Sequence, residues 1–90
     1  MLQTLSIIVT GKVQGVFYRQ STREKALELD LTGFVKNQPD GNVFIQASGT
    51  VDQLNKLVAW CKQGPSRAQV TGVQVEHIDP RAFIGFTVER

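Results

Sequence analysis

GFVKNQPDGNVFIQASG, residues 33–49, has the pattern of a β-hairpin in the middle of the chain. Its centre is Gln38-Pro39-Asp40-Gly41, where proline fixes φ and glycine accepts the left-handed position of a tight turn. The flanking residues, 33–37 and 42–49, include the valine, isoleucine and phenylalanine that are typical of strands. Because helical patterns lie on both sides of this hairpin, it decides the fold: two paired strands must stand between two helices.

The segment before the hairpin predicts a strand, a short loop and a helix. Residues 5–13, LSIIVTGKV, form an apolar run with β-branched residues, as in a covered strand. Residues 17–31 carry a stripe with helical spacing, formed by Tyr18, Thr22, Ala26 and Leu29. The first residue of this helix is undecided, because Ser21 and Glu24 also match a capping box that would place the start of the helix later.

The segment after the hairpin predicts a second helix and two more strands. Thr50 and Gln53 form a capping box at the start of the helix, and Gly64-Pro65 ends it. Residues 69–79 and 82–90 have the pattern of strands on either side of a turn. The second helix has an apolar stripe formed by Val51, Leu54, Leu57, Val58 and Cys61.

The predicted order of elements is therefore β-α-β-β-α-β with an additional C-terminal strand. This order is typical of the α+β ferredoxin-like sandwich, in which two helices pack on one face of an antiparallel sheet. We expect the last strand to extend that sheet at an edge that the sequence does not identify. The 90 residues are predicted to form a single domain, residues 1–90.

Composition excludes several classes of protein. The chain is 41% hydrophobic and 20% charged, as globular domains are, and no apolar run is long enough to span a bilayer. The net charge of +2 comes from scattered basic residues, which argues against a nucleic-acid partner. A single cysteine, Cys61, supports neither a disulfide nor a metal cluster. We expect a cytoplasmic monomer without a membrane segment, metal or cofactor.

The loop between the first strand and the first helix has the chemistry of an anion site. GKVQGVFYR, residues 11–19, contains no acid, and Gly15 permits a positive φ and close approach to the backbone. The amides from Gln14 to Arg19 would form a nest at the positive end of the helix dipole. The guanidinium of Arg19 matches phosphate or carboxylate. The alternative interpretation is a tight turn beside a solvated arginine.

Two segments of the chain resemble the signatures of one known family. GKVQGVFYR resembles the first acylphosphatase signature and GFVKNQPDGNV the second, and the resemblance covers essentially the whole chain. It implies metal-independent hydrolysis of a small acyl phosphate to a carboxylate and inorganic phosphate. It also implies that Asn37 orients the attacking water. The residues implied to bind the phosphoryl group are Gln14, Gly15, Val16, Phe17, Tyr18 and Arg19. The chain departs from residues common in the family at Lys12, Phe34 and Lys36.

The chemistry is consistent with that implied mechanism. An acyl phosphate already carries a good leaving group, so catalysis needs positioning and charge stabilisation more than acid–base power. Amides and Arg19 would stabilise the charge, and Asn37 would position the water. Strand parity places Val35 and Asn37 on one side of the second strand. The alternative for Asn37 is turn chemistry before the Gln38-Pro39 bend.

Two other classes of function stay open from the sequence. Ferredoxin-like sandwiches include RNA-binding and regulatory modules, so the fold alone decides nothing. An RNA-recognition domain needs paired aromatic residues on its third strand, where this chain offers only Phe44. A further alternative is a domain that keeps the site for binding phosphate or a partner and has little catalytic activity.

Overall fold

The computed structural model describes residues 2–89. The predicted order of elements is confirmed, including the additional C-terminal strand. The elements are β1 Gln3–Lys12, α1 Tyr18–Glu28, β2 Thr32–Asn37, β3 Val43–Gly49, α2 Val51–Cys61, β4 Gln69–Ile78 and β5 Phe86–Glu89. Within residues 2–89, no helix has the length and apolar character that crossing a membrane would require.

The strands form one sheet in the order β4-β1-β3-β2-β5. The pairs β1–β3, β1–β4 and β2–β3 are antiparallel, which is the arrangement expected of the ferredoxin-like sandwich. The fifth strand pairs with β2 in parallel, so the complete sheet is mixed rather than wholly antiparallel. The edge that the sequence left undecided is therefore the β2 edge.

The C-terminal strand is shorter than predicted. It begins at Phe86 instead of residue 82, and Arg90 lies outside the described residues. The segment before this strand is held by two hydrogen bonds of the Arg81 backbone. The Arg81 N–H donates to Thr4 Oγ1 (2.9 Å), and Ser48 Oγ donates to the Arg81 carbonyl (2.7 Å). Since these contacts fix the segment across the ends of β1 and β3, strand pairing starts only beyond it.

The helix α1 starts early, and the later start suggested by Ser21 and Glu24 is wrong. Its N-cap is Phe17, and the first helical residue, Tyr18, is only 1% exposed. Burying an aromatic side chain stabilises a fold by about 1.5–3 kcal/mol, whereas a cap contributes about 1 kcal/mol. Packing of Tyr18 against the core therefore outweighs the local capping signal.

The core lies between the helices and one face of the sheet. Its largest buried side chains on the strands are Ile7, Val9, Val35, Val43 and Ile45. The predicted stripe of α2 is confirmed at its buried positions Leu54, Leu57 and Cys61, whereas Val51 is 47% exposed. This packing places the starts of α1 and of the β2–β3 turn at the same end of the sheet.

Candidate active site

The segment from the end of β1 to the start of α1 contains two glycines with different roles. Gly11 lies at an irregularity in the β1–β4 pairing, where its φ is 123° and a Cβ would collide with the carbonyl oxygen of Gln69. Gly15 has φ 74°, and a Cβ there would point into open space. Positive φ favours glycine at both positions. Gly11 thus permits two strands to approach closely, whereas Gly15 turns the loop and leaves its backbone accessible.

The start of α1 has free hydrogen-bond donors. Phe17 adopts a left-handed conformation (φ 63°, ψ 23°), and no side chain caps the helix. The first helical bond runs from the Ser21 N–H to the Phe17 carbonyl (3.0 Å), and within residues 2–89 the amides of Gly15 to Gln20 have no acceptor. The first turn also lacks an acidic residue. Such a helix end attracts an anion through its amides and its dipole.

Arg19 is oriented by the C-terminal strand. Its Nη1 donates to the backbone carbonyl of Glu89 at 2.8 Å, and the side chain is half-buried. The next arginine on the same face of α1, Arg23, makes a similar bond from Nε to the Phe86 carbonyl at 3.1 Å. Arg19 has no carboxylate partner within the described part of the chain. Its remaining N–H groups can therefore bind an anion.

Arg19 and Asn37, which come from different elements, line the same open pocket of about 360 Å³. We call it the candidate pocket, and its lining residues are Val13, Gly15, Phe17, Tyr18, Arg19, Gln20, Asn37 and Val88. Of the residues predicted for the site, Gln14 and Val16 are not in this lining. The Val16 side chain is buried in the core, so any contact of Val16 with phosphate would be through its amide.

Three lining residues were missed by the sequence reasoning. Val13 and Gln20 directly flank the predicted phosphate-binding residues 14–19: Val13 lies within the first signature, and Gln20 is the residue that follows it. Val88 lies on β5 and reaches the pocket because it pairs with Val35, two residues before Asn37. No local pattern near Val88 indicates this position, since it depends on the parallel pairing of β5 with β2.

Asn37 is the last residue of β2, and the surroundings of its side-chain oxygen are unusual. Its Oδ1 is buried and has no hydrogen-bond donor among residues 2–89. A buried acceptor left unpaired costs about 1–3 kcal/mol, so such atoms call for an explanation. The neighbouring turn is held by other groups, namely the Gln38 N–H to the Asn42 carbonyl (2.8 Å) and the Asn42 N–H to Asp40 Oδ1 (3.0 Å). Turn chemistry therefore does not account for Asn37.

The side chain of Gln14 joins the two parts of the site. Its Nε2 donates to the carbonyl oxygens of Gln38 and Asn42, at 2.9 Å each. These carbonyls belong to the turn that directly follows Asn37. Both protons of the Gln14 amide are thus used to hold the loop before α1 against the end of β2. These bonds fix the position of Arg19 relative to that of Asn37.

Other reactive side chains are structural in character. Burial raises the pKa of the Cys61 thiol to about 12, so this cysteine is not a thiolate near neutral pH. Burial likewise raises the pKa of Tyr18, whose hydroxyl donates to the Cys61 carbonyl at 2.7 Å. His77 is exposed on β4 and away from the pocket. Among residues 2–89, no three His, Cys, Asp or Glu side chains lie together as metal ligands.

Comparison with known proteins shows which family this chain belongs to. The family model for acylphosphatase matches residues 5–88. An acylphosphatase of Acaryochloris marina is 46% identical over 96% of this chain and 92% of its own length. Another, from Methylococcus capsulatus, is 46% identical over 86% of this chain and 84% of its own. The structure of an acylphosphatase from Coxiella burnetii superposes with a TM-score of 0.95 at 42% identity, covering 98% of this chain and 93% of that one. This chain is an enzyme of the acylphosphatase family.

Proposed function

We propose that this enzyme hydrolyses acyl phosphates to a carboxylate and inorganic phosphate without a metal. Arg19 and the amides of Gln14 to Tyr18 bind the phosphoryl group, and Asn37 orients the attacking water. The observation that carries the proposal is the buried Oδ1 of Asn37, which has no donor among the described residues and lines the same pocket as Arg19. That the enzyme works as a cytoplasmic monomer, without a cofactor or nucleic-acid partner, stays a prediction from the sequence.

The proposed reaction is a direct displacement. The oxygen of the water forms a bond to phosphorus while the bond from phosphorus to the acyl oxygen breaks, and the carboxylate leaves with the electron pair. One proton of the water is hydrogen-bonded to Asn37 Oδ1, which aligns the attack. Asn37 does not take this proton: both protons of the water stay with the phosphate product, so a dianionic acyl phosphate and water give a carboxylate and dihydrogen phosphate. No general base is required, because the leaving carboxylate is already stabilised by resonance.

The uncapped start of α1 supports the charge-stabilising part of this mechanism. In phosphoryl transfer the charge of the transition state is spread over three equatorial oxygens. Donors that are already fixed in place stabilise that charge without reorganisation. The free amides of the loop and the Arg19 guanidinium, held by its bond to the Glu89 carbonyl, are donors of this kind.

The test compares the two arginines of α1 in the hydrolysis of benzoyl phosphate, with EDTA present throughout. Arg19→Ala is expected to lower kcat/KM by about 10²–10³, as the loss of one transition-state donor typically does. Arg23→Ala is the matched control. It removes a similar bond to β5 but no group from the candidate pocket, so its activity should stay near that of the parent.

Each alternative has its own outcome in this experiment. If the folded parent shows no turnover but binds inorganic phosphate, the domain is a phosphate-binding module and the proposal is wrong. If EDTA abolishes activity and added Mg²⁺ or Zn²⁺ restores it, the metal-free mechanism is wrong. Equal losses from Arg19→Ala and Arg23→Ala would show that both residues act only by holding β5.

A further inference from the structure

The turn formed by residues 38–42 follows Asn37 directly and lies at the surface, where Asp40 is exposed. The Gln38 N–H donates to the Asn42 carbonyl at 2.8 Å. Both groups belong to the turn itself, so this bond shapes the turn without connecting it to another part of the molecule. Because Asn37 is the last residue of β2, the position of its side chain depends on how the turn is held.

The loop before α1 is anchored more firmly than this turn. The side chains of Val13, Val16 and Tyr18, which lie on both sides of Gln14, are all buried in the core. Burial of three large side chains within six residues fixes the backbone of the loop. The loop amides and Arg19, which we propose bind the phosphoryl group, are therefore held by the core itself.

The side chain of Gln14 is the link between the anchored loop and the exposed turn. Its Nε2 donates to the carbonyl oxygens of Gln38 and Asn42, at 2.9 Å each. Among residues 2–89, no other hydrogen bond joins residues 38–42 to a different segment of the chain. Loss of this side chain would leave the loop in place and free the turn, with Asn37 at its base.

Asp40 holds the turn side of this link. Its Oδ1 accepts from the Asn42 N–H (3.0 Å), and its Oδ2 accepts from Asn42 Nδ2 (3.2 Å). Bonds to a carboxylate are stronger than those between neutral groups, so they restrict Asn42 and its carbonyl, which is one of the two acceptors of Gln14. Asp40 is not in the lining of the candidate pocket, so any effect on the reaction must pass through Asn42 and Gln14.

We propose that the Gln14 side chain is a positioning residue for Asn37, supported by Asp40, and that it determines kcat rather than the affinity for phosphate. This inference rests on the proposed function and adds two residues that act through others. A displacement of a catalytic group by about 1 Å can lower a rate by about 10²-fold. The role is separate from that of the Gln14 backbone amide, which belongs to the proposed phosphate-binding loop.

The test measures kcat for benzoyl phosphate and the inhibition constant for inorganic phosphate. Gln14→Met keeps the length of the side chain and removes both donors, so kcat should fall by about 10–100-fold while the inhibition constant stays near that of the parent. Gln74→Met is the matched control. Gln74 is exposed on β4, outside the candidate pocket, so both quantities should be unchanged.

A double-mutant cycle separates positioning from a loss of folded protein. In an Asn37→Ala background, Gln14→Met should cause no further fall in kcat, because the side chain that Gln14 positions is absent. A fall by the same factor in both backgrounds would overturn the proposal. A phosphate inhibition constant that rises as much as kcat falls would also overturn it, because Gln14 would then act on the phosphate-binding loop.

Asp40 provides an independent test at an exposed position, where a substitution leaves the core intact. Asp40→Ala should lower kcat by a smaller factor than Gln14→Met. Asp40→Asn should restore most of the loss, because its side-chain oxygen can still accept from the Asn42 N–H. An unchanged kcat in Asp40→Ala would show that Asp40 does not support Gln14.

Failure of this inference can be told apart from failure of the proposed function. If the folded parent does not hydrolyse benzoyl phosphate, the proposed function is wrong and the inference falls with it. If the parent is active and Gln14→Met leaves kcat unchanged, only the positioning role is wrong.

Discussion

The two helices have the same length, 11 residues, but begin in opposite ways. At the start of α2, Thr50 Oγ1 accepts a bond from the Gln53 N–H (3.3 Å), and Gln53 Oε1 accepts one from the Thr50 N–H (2.9 Å). Asp52 adds a negative charge in the first turn. At the start of α1, the left-handed Phe17 provides no cap, and the first turn has no acid.

This difference separates a capped helix end from an uncapped one that we propose binds the phosphoryl group. The first four N–H groups of any helix lack partners within the helix, and the positive end of the dipole lies among them. In α2 the chain's own side chains satisfy two of these groups, the N–H groups of Thr50 and Gln53, which stabilises the fold. In α1 no residue of the described range 2–89 accepts from them, and the arginine in that turn adds a further donor. A helix start without a cap, next to a loop glycine, therefore indicates an anion site more specifically than the glycine does alone.

The largest expected effect is at Asn37. This residue lies on β2 and lines the candidate pocket together with residues from the uncapped start of α1. Asn37→Ala should lower the kcat for benzoyl phosphate by about 10²–10³ and leave inhibition by inorganic phosphate nearly unchanged, because the role we propose for Asn37 is to orient the water. Steady-state kinetics with phosphate as inhibitor measures both. Asn55→Ala, on the exposed side of α2, is the control. A loss of phosphate binding in a folded Asn37→Ala protein would contradict the assigned role.

A matched pair of substitutions tests the comparison directly, since Gln20 and Gln53 occupy the same position, three residues after the N-cap, in α1 and α2. Gln20→Glu places a negative charge at the uncapped end and in the pocket lining, so the inhibition constant for phosphate should rise about tenfold. The rise should shrink at high salt, because screening weakens the repulsion.

Gln53→Glu makes the same chemical change at the capped end. A capping box accepts glutamate at this position, so folding should be retained and phosphate inhibition should match that of the parent. Similar changes in phosphate inhibition from the two substitutions would show that the two helix ends do not differ as described. An unchanged inhibition constant for Gln20→Glu would place the phosphate elsewhere.

The smallest effect is expected when the cap of α2 is removed. Thr50→Ala should lower the free energy of unfolding by about 1 kcal/mol, since the Gln53 N–H loses its acceptor. Urea denaturation measures this loss. The kcat/KM for benzoyl phosphate should not change, because α2 contributes nothing to the lining of the candidate pocket. A loss of activity larger than the loss of folded protein would mean that α2 also positions the site.

Local chemistry in the sequence was enough for much of the fold. The capping box at Thr50 and the turn at Pro39-Asp40-Gly41 each depend on residues within a few positions, so their patterns predicted the structure correctly. The helical stripe through Tyr18, Thr22 and Ala26 likewise predicted which face of α1 is buried. The two signature segments predicted the family, and the sandwich topology suggested that Asn37 approaches the glycine loop.

Other features needed the tertiary structure, because they depend on contacts between distant residues. The start of α1 was decided by burial of Tyr18 in the core, and the start of β5 by the bonds that fix Arg81 to β1 and β3. The parallel pairing of β5 with β2 brings Val88 and the Glu89 carbonyl to the site. No short pattern near those residues encodes this pairing.

The sequence by itself thus determined the class of the fold, the family and the residues with the right chemistry, since propensity, capping and turns are local. Only the tertiary structure decided how the site is assembled: Gln14 bonded to the turn after Asn37, Arg19 bonded to β5, and a buried Asn37 oxygen with no donor in the described chain. The physical reason is that burial and strand pairing act between residues far apart in sequence, and their energies exceed those of the local signals.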